Sequence, residues 1–338
     1  MRALMLGAIV LAMAIVSVSA VTPAQTPYVW DLPAGWPAPR VPADNPMSDA
    51  KVRLGRELFY DTRLSGNGTQ SCASCHAQTL AFTDGRGQAV GSTGQRHPRG
   101  SMSLVNIAYA DTLTWANPDM HALEAQAAGP MFGTTPVELG LTEHGPWLQA
   151  LAADRRLAPM FADAFGMASS AITVDHVTKA IASFERSIIS ARSPWDRYRQ
   201  THDNSAISEA ARRGEVLFHS QPFTCFRCHG DFLFSNTADF SGRTTTAPLV
   251  RRPEDPAGYR KAPTLRNIAL TAPYMHDGSV PTLDGLVSHG FPKDPAQRAD
   301  LIAFLEALTD SAVLTDPRFG APNREDARAA RQRRSAIR

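Results

Sequence analysis

Every cysteine in this 338-residue chain belongs to one of two copies of a five-residue motif, Cys72-Ala-Ser-Cys75-His76 and Cys225-Phe-Arg-Cys228-His229. Four cysteines in an exported chain would ordinarily point to disulfides, and two C-x-x-C pairs could hold zinc. The histidine directly after each pair decides against both. In C-x-x-C-H, two thioethers fix the vinyl groups of a c-type haem, and the adjacent imidazole lies under the iron as an axial ligand. One copy could arise by chance. Two copies that use every cysteine predict two covalently bound c-type haems, on Cys72, Cys75 and His76 and on Cys225, Cys228 and His229.

The segments around these motifs repeat as well. Gly55-Arg-Glu-Leu58-Phe59 precedes the first motif and Gly214-Glu-Val-Leu217-Phe218 the second. Ser103-Leu-Val-Asn106-Ile-Ala108 follows the first and Thr264-Leu-Arg-Asn267-Ile-Ala269 the second, with Leu123-Glu124 and Leu283-Asp284 further on. This order predicts two tandem copies of one haem domain. Ser48 can cap a helix running to Phe59, with Val52, Arg56 and Phe59 on one stripe. Stretches 174–191 and 296–309 also carry helical periodicity, and no alternating strand run appears. The expected fold class is all-α: two tandem cytochrome c-like domains, each carrying one covalently bound c-type haem.

Residues 1–20 hold one early charge, Arg2, then an apolar run ending in small residues, the pattern of a secretory signal peptide. The run is short for a membrane span and no basic stop-transfer cluster follows it. The expectation is cleavage after Ala20, with Ala24 as the alternative, no stable membrane span afterwards, and a periplasmic protein. Residues 21–46 are proline-rich and read as an extended arm, and Pro248, Pro253, Pro256 and Pro263 mark a long loop. A first haem domain over 47–200 and a second over 201–310 follow, then a basic tail over 311–338. The composition, 43% hydrophobic and 20% charged with a formal net charge of +2, is that of a globular protein. It gives no reason to expect nucleic acid as a partner.

The two motifs, the stretch Leu265-Arg-Asn-Ile-Ala-Leu-Thr-Ala-Pro-Tyr-Met-His-Asp-Gly278 and Trp115 resemble the bacterial di-haem cytochrome c peroxidase and MauG superfamily, from about Pro46 to Asp310. His97-Pro-Arg-Gly-Ser-Met-Ser-Leu104, Trp115-Ala-Asn-Pro118 and Phe132-Gly-Thr-Thr-Pro-Val-Glu138-Leu-Gly140 look more narrowly like its MbnH branch.

The internal repeat bears on which iron is open. A cytochrome domain takes its sixth ligand from a loop well after the haem motif. In the second domain His289 follows Leu283 by six residues; the equivalent first-domain position is Gly129, beside Pro130. Neither has a ligating side chain. The first haem, on His76, is therefore expected to be open, with Met131 and His97 as the groups that could still close it. The second is expected to be six-coordinate through His229 and His289, with His276 and Met275 as rivals. Counting from the family pattern puts Ser92 where some cytochrome c peroxidases carry a removable distal histidine.

The resemblance implies roles for further residues. Glu138 matches the distal acid–base glutamate, Gln126 a distal amide, and Trp115 the tryptophan between the haems. It also implies a calcium ion held by backbone oxygens matching Thr271 and Pro273, although Gly100 replaces the family's asparagine ligand. The exit tryptophan of MauG, two residues before the second motif, is Phe223, which leaves Trp147, Trp195 and nearby tyrosines as candidates for a surface route. The implied activity uses hydrogen peroxide to form a bis-ferryl-type state and oxidise an aromatic residue, tryptophan to kynurenine, on a periplasmic copper-binding partner. The competing readings are a peroxidase that detoxifies peroxide with electrons from a small cytochrome or cupredoxin, and a di-haem electron carrier, which the open haem disfavours.

Overall fold

The structure, a computed structural model, describes residues 28–167, 171–221, 223–235, 250–251, 259–288 and 292–322. The signal peptide, the start of the arm, His289 and the tail from residue 323 lie outside the described residues.

The first unit is organised by helix α1 (Asp49–Phe59). Its N-terminus is capped by Ser48, whose Oγ accepts the Lys51 N–H at 3.2 Å. The buried face is Leu54, Gly55, Leu58 and Phe59 rather than the expected Val52, Arg56 and Phe59 stripe. Gly55 explains the rotation. A Cβ there would stand 1.9 Å from the Ala180 carbonyl oxygen of helix α6 (Val174–Ser187), so the glycine is the point of closest helix approach. Arg56 is left at the rim, donating to the Gly320 carbonyl at 2.7 Å. Between these helices in the chain come the one-turn α2 (Cys72–Cys75), α3 (Leu123–Phe132), α4 (Trp147–Ala153) and α5 (Leu157–Phe165). They enclose a core of Leu54, Phe59, Phe82, Phe161 and Phe184.

The second unit repeats the device. After α7 (Pro194–Thr201) comes α8 (Glu209–Phe218), and after the short α9 (Leu283–Ser288) comes α10 (Pro295–Ala307). A Cβ on Gly214 would stand 2.0 Å from the Asp300 carbonyl oxygen of α10. Phe218 and Phe304 face each other at 5.3 Å, as Phe59 and Phe184 do at 5.1 Å in the first unit. Asn106 and Asn267 both adopt the left-handed conformation, with φ of 59° and 62°, which asparagine tolerates better than most residues. Each binds its unit's closing segment through its backbone N–H, to Ile188 and Leu308 respectively.

Three departures concern the connecting segments. The arm from 28 to 46 lacks regular structure but is strapped down: Asp31 bridges Arg192 at 2.6 Å and Arg318 at 3.0 Å, and Trp36 packs on Phe232 at 4.4 Å. Residues 311–322, counted in the sequence with the basic tail of 311–338, begin with a short helical turn. They return to the first unit, where Val313 and Phe319 are buried and Gln78 donates to the Val313 and Asp316 carbonyls at 3.0 and 2.8 Å. The proline-marked loop contains a minimal antiparallel pair, Val250–Arg251 with Tyr259–Arg260. Among the described residues, no helix is long and apolar enough to cross a membrane.

Candidate haem sites and active site

His76 Nδ1 lies 2.9 Å from the Phe82 carbonyl and His229 Nδ1 lies 3.1 Å from the Phe234 carbonyl. A carbonyl can only accept, so each Nδ1 carries the proton and each Nε2 keeps its lone pair, the form that ligates a metal. Both phenylalanines sit at positive φ, 61° and 51°, an uncommon conformation for a bulky side chain. Burial pushes both imidazoles below the usual histidine value, partly offset by these carbonyl bonds, and so keeps them neutral. None of the four cysteines is in a disulfide.

The surroundings fit a large prosthetic group at both motifs. A cavity of about 1060 Å³ opens between the units, lined by Cys225, Cys228 and His229 on one side and by first-unit residues such as Thr83 and Val105 on the other. Near the first motif, the buried oxygens Gln70 Oε1, Asp84 Oδ2 and Glu185 Oε2 have no hydrogen-bond partner. Asp84 and Glu185 act electrostatically on Cys75 and Cys72, and burial holds the Glu185 carboxyl up at about 8.

Glu138 stands half-buried on the chain that leaves α3 and doubles back along it. Leu139 N–H donates to the Pro130 carbonyl at 2.9 Å and Leu141 N–H to the Met131 carbonyl at 2.8 Å. Burial raises the Glu138 carboxyl above the usual carboxylate value, with His97 opposing the rise, and the carboxylate in turn acts on Cys75. Gln126 is on the same helix and half-buried. Gly129 and Pro130 occupy the last turns of α3, and Met131 is 1% exposed within the first core. The His97 ring nitrogen Nδ1 accepts the Arg99 N–H at 3.1 Å.

Trp115, Met275 and His276 all line the cavity that holds His229. The Trp115 indole N–H donates to the Gly100 carbonyl at 2.9 Å, and the Trp115 carbonyl accepts from Lys261 N–H at 3.1 Å. Lys261 is a residue that sequence reasoning missed. It is 6% exposed, lines the same cavity, and is held down at about 8 by burial. A lysine in a proline-rich loop reads as solvated, and no local pattern marks it otherwise.

Thr271 and Pro273 also face the cavity. At position 100 a Cβ would stand 2.7 Å from the Arg86 carbonyl oxygen, and the Gly100 N–H donates to the His276 carbonyl at 2.9 Å. There is no room for an asparagine. Of the ligand set that the resemblance implies, only the backbone oxygens of Thr271 and Pro273 are left, and we assign no ion there.

A family model described as di-haem cytochrome c peroxidase matches residues 49–204, and a RoxA-like, cytochrome c-like model matches residues 258–291. The methylamine utilization protein MauG of Methylorubrum extorquens is 34% identical over 302 residues, 82% of this chain and 84% of that one. The cytochrome c peroxidase Ccp of Escherichia coli is 32% identical over 291 residues, 80% of this chain and 61% of that one. A solved structure, described as a MauG-like protein associated with microbial copper homeostasis, superposes with a TM-score of 0.80 at 36% identity, covering 87% of this chain and 99% of that one. On that likeness and on the paired haem sites, the chain belongs to the di-haem cytochrome c peroxidase and MauG family of haem-dependent, peroxide-using oxidoreductases.

Proposed function

We propose that this protein is an exported, periplasmic di-haem enzyme that spends hydrogen peroxide on a protein: it oxidises an aromatic side chain, tryptophan to kynurenine, on a copper-binding partner. The observation that carries the reading is the asymmetry of the two sites. Beside the first motif stands Glu138, a half-buried carboxyl with a raised pKa, on the chain that leaves α3, the helix that carries Gly129 and Pro130. Beside the second stand Met275 and His276, with His289 beyond the end of α9. One side suits proton handling at a bound peroxide, the other suits a closed iron.

Each haem would be held by its two thioethers and its imidazole, and when bound it supplies the two-electron chemistry with peroxide. Glu138 takes a proton from one peroxide oxygen and returns it to the other, and Gln126 orients the peroxide. Trp115, which lines the cavity of His229 and matches the family's inter-haem tryptophan, carries charge from one site to the other. The partner need not enter the peroxide pocket, because oxidising equivalents travel one at a time through aromatic rings. The reaction balances as tryptophan plus two hydrogen peroxide giving N-formylkynurenine plus two water; hydrolysis then releases formate and leaves kynurenine. The likeness to the copper-homeostasis protein supports the choice of partner. With so little net charge, docking rests on a local patch rather than on long-range steering.

The test is to incubate holoenzyme, peroxide and the genetically adjacent exported copper protein, then map its peptides by mass spectrometry. A single tryptophan peptide should gain two oxygens, or one oxygen with the loss of one carbon. An unmodified partner, together with rapid oxidation of a small cytochrome or cupredoxin over many turnovers, would replace this reading with the detoxifying peroxidase.

A further inference from the structure

Trp195, the second residue of α7, packs edge-to-face on Phe234 at 4.9 Å, and the Phe234 carbonyl is the group that holds His229. The indole is thus one ring away from the backbone that fixes the second haem's imidazole. Its own exposure is intermediate, and Arg199, whose side chain is 60% exposed, covers it at 5.8 Å. The indole N–H is donated to Glu215 Oε1 at 3.0 Å. Trp115 and Trp147 instead donate to the backbone carbonyls of Gly100 and Thr142. A carbonyl cannot hold the proton of an oxidised indole; a carboxylate can.

The charges around the ring point the same way. The guanidiniums of Arg199 and Arg266 lie 5.8 and 5.6 Å from the Trp195 ring centre. Cations there favour the neutral ring and disfavour a cation radical. Arg266 is partly neutralised by its two bonds to Asp196, both 2.9 Å, and Arg199 lies 3.9 Å from Glu215 Oε1. An oxidised Trp195 that sheds its proton carries no charge and escapes the penalty.

We infer that Trp195 and Glu215 form a proton-coupled outlet, through which oxidising equivalents leave the second haem site for a protein substrate. Trp195 gives one electron inward, toward the haem pair oxidised by peroxide, while its indole N–H bond breaks and an O–H bond forms on Glu215. A substrate side chain at the surface then returns one electron to Trp195, and Glu215 returns the proton. Two such cycles consume the two equivalents of one peroxide. The outlet rests on the proposed peroxide-driven oxidation of a protein, but not on which protein that is.

The test uses holoenzyme with peroxide and no partner, following the decay of the oxidised haem spectrum in H2O and D2O and mapping oxygen insertion in the enzyme's own peptides. Wild type should show a solvent isotope effect above unity and oxygen inserted at Trp195. Glu215→Gln keeps an oxygen that can accept the indole N–H but cannot take its proton. It should slow the decay roughly a hundredfold and abolish the isotope effect. Trp195→Phe should do the same, with both ferric haem spectra unchanged. If both variants decay like wild type, with the same isotope effect and no oxygen at Trp195, the outlet is wrong while the peroxide chemistry stands. If wild type itself shows no rapid oxidation by peroxide, the proposed function fails and the outlet falls with it.

Discussion

Ser190 and Asp310 occupy corresponding places in the two repeats and are hydrogen-bonded to each other, Ser190 Oγ donating to Asp310 Oδ2 at 3.1 Å. Each also donates its backbone N–H to the left-handed asparagine of its own unit, Ser190 to Asn106 Oδ1 at 2.9 Å and Asp310 to Asn267 Oδ1 at 2.8 Å. The Asn267 amide crosses over to donate to Ser190 Oγ at 2.9 Å. The two haem units therefore meet through one buried polar cluster made of equivalent residues. The Asp310 carboxylate also accepts the N–H groups of Ala191 and Arg192, both at 3.1 Å. Asp310→Ala would leave these buried donors unsatisfied, at a cost of about 3 kcal/mol. Thermal melting should show both units losing stability together, with both haems still attached.

Glu138→Gln should keep both haems and lose rapid reaction with peroxide, by a factor of about 10²–10⁴ in stopped-flow rate. The pH dependence follows from the sign of the shift. Burial holds this carboxyl above its ordinary value, and only the ionised form can take the peroxide proton. The rate should fall as pH drops through the raised pKa and recover above it; the glutamine variant should lack that limb. Wild-type kinetics in the variant would remove Glu138 from the mechanism.

Trp115→Phe removes the indole N–H that holds the ring to the Gly100 carbonyl, and replaces an oxidisable indole lining the cavity with a phenyl ring. Haem attachment should be unaffected. The yield and lifetime of the peroxide-oxidised state should drop in rapid-scan spectra. An unchanged lifetime would leave Trp115 as a wall residue.

The haem motifs and the tandem repeat were legible because their chemistry is local. Cys-x-x-Cys-His needs only adjacent residues, and Gly55 and Gly214 recur because each helix pair needs the same close approach. The face of α1 differs for the same reason seen from the other side: Val52 and Arg56 fit a helical stripe, but the crossing point at Gly55 puts Leu54 and Leu58 in the core, Val52 at its edge and Arg56 at the rim. Burial of Lys261, the return of residues 311–322 to the first unit and the missing room at position 100 come from contacts distant in sequence. Trp195 was visible as a tryptophan, whereas its carboxylate partner lies 20 residues on, on another helix.

Glu124 should make α3 sensitive to acid. Burial alone would raise its carboxyl, but paired bonds from Arg186 at 2.7 and 2.8 Å and one from Asn45 at 2.6 Å lower it below the usual value. A depressed carboxylate pKa contributes stability that is present above the unfolded value and is lost as pH falls through the folded one. Denaturant melts of wild type should weaken through that acid window. Glu124→Gln should lose about 1–3 kcal/mol at neutral pH and flatten the acid slope. Since α3 carries Gln126 and positions Glu138, the variant should also react more slowly with peroxide. An unaltered acid slope would mean that the Arg186 pair is not what ties α3 to α6.

The coordination of the two irons gives the most direct check on the division of labour. Along α3 the first unit offers Gly129 and Pro130, which have no ligating side chain, and Met131 turned into the core. The second unit offers Met275 and His276 in the cavity of His229, and His289 as the residue after α9 ends at Ser288. Met275 is at φ 69°, and the His276 carbonyl is fixed by the Gly100 N–H, so both stand on a tightly constrained turn. The repeat spacing, with His289 six residues beyond Leu283, favours His289. The ferric holoenzyme should therefore give one high-spin and one low-spin haem by electron paramagnetic resonance. His289→Ala should convert the low-spin signal to high-spin while leaving the first haem's spectrum unchanged; if Met275→Ala or His276→Ala does so instead, that residue is the ligand. Two low-spin haems in the wild-type ferric protein would close the first iron and remove the site at which Glu138 is proposed to act.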